Sequence, residues 1–158
     1  MKTDVIFFGG GSYTIPILKV LHEKFNLILA LTTENNKDEP ISKYCTKYNI
    51  KLRSVKKFDD DLKSYILNLN SPIAVLANFG LIIPKKVLKI FPKGIINIHP
   101  SLLPKYRGPT PVQAAILNGE KVTGVTLIKL DEKVDHGPIL AQQKEKIGSN
   151  DTADSLYK

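Results

Sequence analysis

Residues 5–21 read VIFFGGGSYTIPILKVL, and this stretch is the clearest indication of the fold class. The run from residue 5 to residue 8 is apolar without a break, which is typical of a strand that is buried on both faces of a sheet. Three glycines then turn the chain, and apolar residues recur at helical spacing over residues 13–25. A buried strand that leads through a tight turn into a helix predicts a parallel α/β sheet.

The same alternation of strand and helix continues along the chain. We predict further strands at residues 27–31, 51–55, 73–76, 94–98, 123–130 and 139–147, and helices at residues 40–48, 62–69, 84–90 and 112–117. Three aspartates before residue 62 suit a helix N-terminus, and Asp151 is predicted to cap a last helix that has hardly begun at Lys158. The order predicts an α/β fold with right-handed crossovers.

The composition excludes several classes of protein. Of 158 residues, 42% are hydrophobic and 24% are charged, and such ordinary globular values argue against a disordered or collagen-like chain. The single cysteine, Cys45, excludes an intramolecular disulfide and a cysteine-based zinc cluster. No run of about 18 apolar residues predicts a membrane span, so we expect a soluble cytoplasmic protein.

The net charge of +8 is unevenly distributed. Residues 62–119 contain no acid and seven basic side chains, namely Lys63, Lys85, Lys86, Lys89, Lys93, Lys105 and Arg107. Such an acid-free block suits a polyanion, such as nucleic acid, a nucleotide or a polyglutamate tail. The alternative is a lysine-rich composition whose side chains are simply solvated.

The glycine turn meets a dinucleotide-binding fingerprint only in part. Thr14 stands where the third glycine would be, although Glu34 lies where a ribose-binding acid can sit. We therefore do not expect NAD. Backbone N–H groups of Gly10, Gly11 and Ser12 are instead expected to face an anionic group of a substrate.

Asn97 and His99 carry the strongest sign of chemistry. They are two residues apart on a predicted strand, so their side chains share a face at its carboxyl end, where open α/β sheets bind ligands. Asp135, in a polar turn between the last two strands, is either a turn residue or the carboxylate that orients His99. The three suit acyl transfer to an amine, with Asn97 donating to the oxyanion and His99 moving protons.

The chain resembles the formyltransferase family in four features of its sequence. These are the spacing Asn97-x-His99, the stretch from Ser101 to Pro104, the pair Arg107-Gly108, and a Val-Asp-x-Gly turn around Asp135. Members of the family use 10-formyltetrahydrofolate and share a Rossmann-like N-terminal domain. The resemblance covers nearly the whole chain. It implies a mostly parallel, twisted sheet with helices on both faces, and no metal.

The resemblance also implies roles for individual residues. Asn97, His99 and Asp135 match the family's catalytic triad. The implied folate-binding residues are Ser101, Leu102, Leu103, Pro104, Asn78, Phe79, Gly80, Leu81, Ile82, Val134 and Gly137. Arg107 joins Gly10, Gly11 and Ser12 on the side of the second substrate.

Three stretches, at residues 79–84, 106–113 and 123–127, look most like the family members that act on aminoacylated tRNA. The implied activity is transfer of a formyl group from 10-formyltetrahydrofolate to the α-amino group of methionyl-tRNA. The alternatives are another amine (an amino sugar nucleotide or glycinamide ribonucleotide), hydrolysis of the folate to formate, or a catalytically idle folate- or nucleotide-binding module.

The chain departs from those tRNA enzymes in two places. Residues 9–13 read GGGSY where Gly-Thr-Pro-x-Phe is usual, and residues 33–40 are short and acidic where a long basic loop is usual. We therefore expect a weakened tRNA-recognition loop. We also expect residues 1–158 to be an N-terminal catalytic domain cut in its last helix, without the family's C-terminal β-barrel domain.

Overall fold

Four parallel strands organise the first part of the chain in this computed structural model, which describes residues 1–33 and 36–158. The chain divides into two units, Met1–Ile95 and Ile96–Lys158. The first unit contains strands β1 (Asp4–Gly9), β2 (Asn26–Thr32), β3 (Leu52–Ser54) and β4 (Ile73–Ala77), and helices α1 (Ile15–Lys24), α2 (Pro40–Lys47), α3 (Asp60–Asn68) and α4 (Lys85–Leu88). Its strands lie in the order β3-β2-β1-β4, and each adjacent pair is parallel.

Strand β1 is the centre of this unit's core. Its residues Val5, Ile6, Phe7 and Phe8 are at most 1% exposed, as the unbroken apolar run predicts for a strand covered on both faces. The ring of Phe8 contacts three other aromatic rings, those of Phe58, Phe79 and Phe91. The buried strand therefore also anchors the loop that follows β4.

Local signals set the ends of the helices in this unit. Asp59 caps α3 by accepting a 2.9 Å hydrogen bond from the backbone N–H of Leu62, as the aspartates before residue 62 predict. Asn49 and Asn70 follow α2 and α3 with left-handed φ angles of 53° and 52°. Asparagine tolerates this conformation, which commonly terminates helices.

The second unit contains nearly all of β5 (Ile95–His99), followed by α5 (Pro111–Leu117), β6 (Val122–Lys129), β7 (Ile139–Lys146) and α6 (Ala153–Leu156). Strand β6 runs antiparallel to both β5 and β7. The register places His99 opposite Thr126 and Asn97 opposite Ile128. Strand β6 is therefore an exception to the parallel pairing that was predicted for most of the strands.

The predicted cap of the last helix is wrong by one residue. Thr152 is the N-cap of α6, because its hydroxyl accepts from the N–H of Ser155 while the Ser155 hydroxyl accepts from the N–H of Thr152. Asp151 instead accepts from the N–H of Gly148 and from the Ser155 hydroxyl, each at 2.7 Å. A reciprocal capping box satisfies two backbone donors at the start of the helix, and Thr152 is the residue whose side chain takes part in it.

The predicted α/β class is confirmed, and every predicted strand and helix is present within a few residues of its expected bounds. Across residues 1–33 and 36–158, no helix combines the length and the apolar character that a bilayer crossing demands.

Candidate active site

The end of β5 presents two polar side chains in a buried position. Burial alternates along this strand, and Asn97 and His99 are on the inward face with exposures of 6% and 5%. A strand alternates its side chains with a period of two, so both lie on one face. Buried polar groups at such positions require hydrogen-bond partners.

Asp135 supplies a partner to Asn97. The Asn97 Nδ2 group donates to Asp135 Oδ1 at 2.9 Å, and the backbone N–H of Gly108 donates to Oδ2 at 2.9 Å. The Asp135 side chain is 11% exposed, and its φ of 45° is left-handed. Because an amide nitrogen carries two hydrogens, Asn97 retains one N–H for a ligand.

The orientation of His99 depends on a backbone carbonyl. His99 Nε2 lies 2.9 Å from the carbonyl oxygen of Tyr106, whereas Nδ1 lies 3.5 Å from Asp135 Oδ2. A carbonyl oxygen only accepts hydrogen bonds, so Nε2 carries the proton in the neutral ring. Nδ1, facing the carboxylate, is then the nitrogen that is able to gain and lose a proton.

Thr126 organises the predicted folate loop, although it was not among the predicted site residues. Its hydroxyl donates to the carbonyl of Ser101 at 2.6 Å and accepts from the N–H of Leu103 at 3.1 Å and from Gln142 Nε2 at 2.9 Å. Gln142 also donates to the carbonyl of Leu103 at 2.8 Å. Thr126 is fully buried, and the sequence signal for it was a threonine on the same face of the predicted strand as the apolar Ile128.

These bonds determine what the loop at residues 101–104 offers a ligand. Ser101 and Leu103 are buried, at 0% and 5% exposure, and the Ser101 hydroxyl donates to the carbonyl of Lys105 at 2.7 Å. Leu102 is half-buried and Pro104 is exposed. Two of the four residues thus hold the loop in place, and the other two are accessible.

The turn that carries Asp135 contains two further predicted folate residues. Val134 is 59% exposed. At Gly137, a Cβ would overlap the carbonyl oxygen of Lys129, so only glycine allows this close approach. His136 Nδ1 and Asp131 Oδ2 are 2.7 Å apart, and this hydrogen bond lowers the pKa of Asp131.

Except for Arg107, the remaining predicted site residues lie in the first unit. Asn78 Nδ2 donates to the carbonyl of Gly10 at 2.9 Å, and the Thr14 hydroxyl donates to the carbonyl of Gly11 at 2.9 Å. Gly11 has a φ of 77°. These hydrogen bonds fix the two carbonyl groups. Because the peptide is trans, the N–H of Gly11 points in the opposite direction to the Gly10 carbonyl. Ser12 is the first residue of a short 3₁₀ helix.

The loop after β4 combines an anchor with accessible residues. The ring of Phe79 packs against those of Phe8 and Phe58 at centroid distances of 5.4 and 6.1 Å. Gly80 and Ile82 are exposed, with Ile82 at 77%, and Leu81 is half-buried. Glu34, the candidate ribose-binding acid, lies outside the described residues.

Acids just beyond the acid-free block neutralise part of its charge. Lys63 pairs with Asp60, and Lys105 pairs with Glu120 at 2.9 Å. The pKa of Asp60 is lowered by its hydrogen bond with Lys63, and the pKa of Glu120 by those from Lys105 and then Tyr106. Arg107, by contrast, is exposed beside the site.

Comparison with known proteins identifies the relatives of this arrangement. The formyl transferase family model matches residues 20–158. Methionyl-tRNA formyltransferase of Thermodesulfovibrio yellowstonii is 38% identical over 99% of the chain and 54% of its own length, and that of Orientia tsutsugamushi is 38% identical over 92% and 51%. The chain therefore spans about half the length of the curated relatives it matches.

A solved structure with a similar fold is that of another formyltransferase. The crystal structure of phosphoribosylglycinamide formyltransferase from Bacillus halodurans superimposes with a TM-score of 0.85 at 26% identity, covering 98% of this chain and 85% of that one. The resemblance inferred from the Asn97-x-His99 pattern is confirmed, and the chain belongs to the formyl transferase family.

Proposed function

We propose that this chain carries the catalytic machinery for transfer of a formyl group from 10-formyltetrahydrofolate to the α-amino group of methionyl-tRNA. The observation that carries the proposal is the convergence of Asn97, His99 and Asp135 at the end of β5. The 38% identity to methionyl-tRNA formyltransferases supports the choice of amine.

Asn97 is suited to stabilise the developing oxyanion. When the amine nitrogen bonds to the formyl carbon, the formyl oxygen gains negative charge. The amide is oriented by its 2.9 Å hydrogen bond to Asp135, so its second N–H is held in one direction before the substrate arrives. Losing an oriented donor of this kind typically costs on the order of 10² to 10³ in rate.

His99 is suited to move the proton that the reaction releases. The attacking amine loses a proton as it bonds to the formyl carbon, and N10 of the folate takes one as its bond to that carbon breaks. Nδ1 of His99 is able to accept the first and return it for the second, because Nε2 is committed to the Tyr106 carbonyl. The carboxylate of Asp135, 3.5 Å from Nδ1, stabilises the imidazolium formed between the two transfers.

The reaction needs no covalent intermediate on a cysteine. Cys45 is buried in the first unit, on α2, and burial raises the pKa of its thiol to about 11. A buried thiol of this kind is a poor nucleophile at neutral pH. Direct attack by the amine is therefore the route that the described side chains support.

The two groups of predicted folate residues have a common character. In each unit a polar anchor holds a loop from which an apolar side chain is exposed: Ile82 in the first unit and Val134 in the second. Such surfaces suit the flat, partly apolar pterin ring of the folate. We propose that backbone groups of the loop after β4 bind the pterin.

The proposal is tested with the purified chain, 10-formyltetrahydrofolate and methionyl-tRNA. We expect formyl-methionyl-tRNA, a loss of roughly 10² to 10³ in rate for Asn97→Ala, and a loss of roughly 10² to 10⁴ for His99→Ala. Circular dichroism and thermal melts check that both variants fold. A His99→Ala variant that transfers the formyl group at a near-normal rate would refute the role in proton transfer.

The same assay separates the alternatives. Formyl transfer to glycinamide ribonucleotide but not to methionyl-tRNA would favour that amine, which the similarity to phosphoribosylglycinamide formyltransferase makes the second candidate. Formate released without any amine would indicate a hydrolase. Folate binding without either product would indicate a binding module.

A further inference from the structure

Glu120 holds the segment that contacts both His99 and Asp135. It lies between α5 and β6, and its side chain is 28% exposed. One carboxylate oxygen, Oε1, accepts from Lys105 Nζ at 2.9 Å and from the phenol of Tyr106 at 2.8 Å. A carboxylate thus ties down two consecutive side chains of the loop.

The backbone of the same loop supplies both catalytic candidates with hydrogen bonds. The carbonyl of Tyr106 accepts from His99 Nε2, and the N–H of Gly108 donates to Asp135 Oδ2, each at 2.9 Å. The segment is therefore attached at one side to Glu120 and at the other to His99 and Asp135.

The conformation of Tyr106 explains why the attachment matters. Its φ is 58°, a left-handed value that is a genuine outlier for a bulky residue. Such a conformation persists only where surrounding contacts impose it. The hydrogen bond from the phenol to Glu120 is a contact of this kind, and relaxation to a negative φ would turn the Tyr106 carbonyl away from His99.

We propose that Glu120 is a positioning residue, which acts through Tyr106 to hold the Tyr106 carbonyl against His99 Nε2 and so sets the tautomer of the histidine. The expected influence of the His99 tautomer on the rate of formyl transfer rests on the proposed function. The influence of Glu120 on the tautomer does not depend on that function. Without the anchor, the proton moves to Nδ1, where Asp135 Oδ2 is the available acceptor.

The protonation states at Glu120 fit this role. Hydrogen bonds from Lys105 and then from Tyr106 lower the pKa of Glu120, and the hydrogen bond to Glu120 raises the pKa of the Tyr106 phenol. At neutral pH an ionised carboxylate therefore accepts from a protonated phenol, which is the charge-assisted and stronger form of the bond.

The test reads the tautomer directly by NMR of the imidazole nitrogens in the ¹⁵N-histidine-labelled chain, which has only three histidines. Glu120→Ala removes both bonds, and Tyr106→Phe removes the phenol alone. Glu120→Gln is the rescue, because an amide oxygen still accepts from the phenol. Lys105→Gln is the matched control, because it removes the ion pair but keeps the tyrosine anchor.

We expect Glu120→Ala and Tyr106→Phe to shift His99 from the Nε2–H form towards the Nδ1–H form. We also expect kcat to fall on the order of 10- to 100-fold with little change in KM, because a small misplacement of a catalytic group lowers the rate by about this much. Glu120→Gln and Lys105→Gln should keep the Nε2–H form, and kcat within about threefold of the parent.

Two results would overturn the proposal: an unchanged tautomer in Tyr106→Phe, or a shift of the same size in Lys105→Gln. If Glu120→Ala fails to fold, Tyr106→Phe decides, because it deletes only one oxygen atom. If the parent chain transfers no formyl group, the proposed function fails, and the tautomer in Tyr106→Phe still supports or overturns the role of Glu120.

Discussion

Replacing Asp135 by asparagine tests the centre of the site, because the two side chains have the same shape and differ in charge and in donor pattern. Asp135 accepts from Asn97 through Oδ1 and from the N–H of Gly108 through Oδ2. An asparagine has one acceptor oxygen, so its NH₂ group must face one of these donors. Since the side chain is only 11% exposed, water does not readily replace the lost acceptor.

The magnitude follows from that mismatch. A hydrogen bond to a charged group contributes about 1.5–3 kcal/mol, and one such bond is lost. For a chain of this size each kcal/mol corresponds to roughly 2–4 °C. We therefore expect the melting temperature of Asp135→Asn to fall by roughly 3–12 °C. Loss of the charge that stabilises the His99 imidazolium should also lower formyl transfer by on the order of 10² to 10⁴.

Thermal melts at pH 7 and single-turnover formyl transfer measure the two effects. The matched control is Asp131→Asn in the same turn, whose carboxylate pairs with the exposed His136. An exposed pair contributes little to stability, so the control should transfer the formyl group at the parental rate and melt near the parental temperature. Equal losses of melting temperature and of rate in Asp135→Asn and Asp131→Asn would show that the Asp135 carboxylate has no special role.

Three further predictions follow from the described contacts. Thr126→Val should destabilise the chain by at least about 2 kcal/mol in urea unfolding, because each buried group left unpaired costs roughly 1–3 kcal/mol. Thr123→Val is its control, because the Thr123 hydroxyl is buried without a hydrogen-bond partner within residues 1–33 and 36–158. Valine at position 123 should therefore leave stability unchanged or raise it. Equal losses of stability in the two variants would contradict the role of Thr126. Iodoacetamide at pH 8 should label Cys45 in the folded chain at least about 100-fold more slowly than in urea, since a pKa raised from 9.0 to about 11 leaves little thiolate; equal rates would contradict its burial. The folded chain keeps the proton on the Cys45 thiol to a higher pH than the unfolded chain does. The stability that this protonated thiol contributes is therefore complete below pH 9 and should decline as the pH rises towards about 11. Urea midpoints at successive pH values measure the decline.

The catalytic roles of Asn97, His99 and Asp135 stay predictions, but their positions show how far local patterns extend. That Asn97 and His99 share a buried face follows from strand periodicity alone, and the structure has both side chains inward. The role of the Tyr106 carbonyl did not follow, because a left-handed φ at a tyrosine contradicts its local preference and depends on contacts elsewhere.

Local sequence patterns account for the alternation of strands and helices, the buried β1 and the pair of polar residues at the end of β5. Each of these depends on the spacing of neighbouring residues, which hydrophobic burial and backbone geometry translate directly into structure. The sequence also identified the family, through a pattern that spans two separate segments.

The groups that meet at the site are brought together by contacts between distant parts of the sequence. The bonds that join Asn97 to Asp135 and Gln142 to Leu103 connect residues 38 and 39 positions apart. The antiparallel course of β6 and β7 brings these partners together, and no local preference records that pairing. The choice of Tyr106 and Thr126 as the residues that hold His99 and its loop is therefore a property of the folded chain, in which buried polar groups must find partners wherever the fold places them.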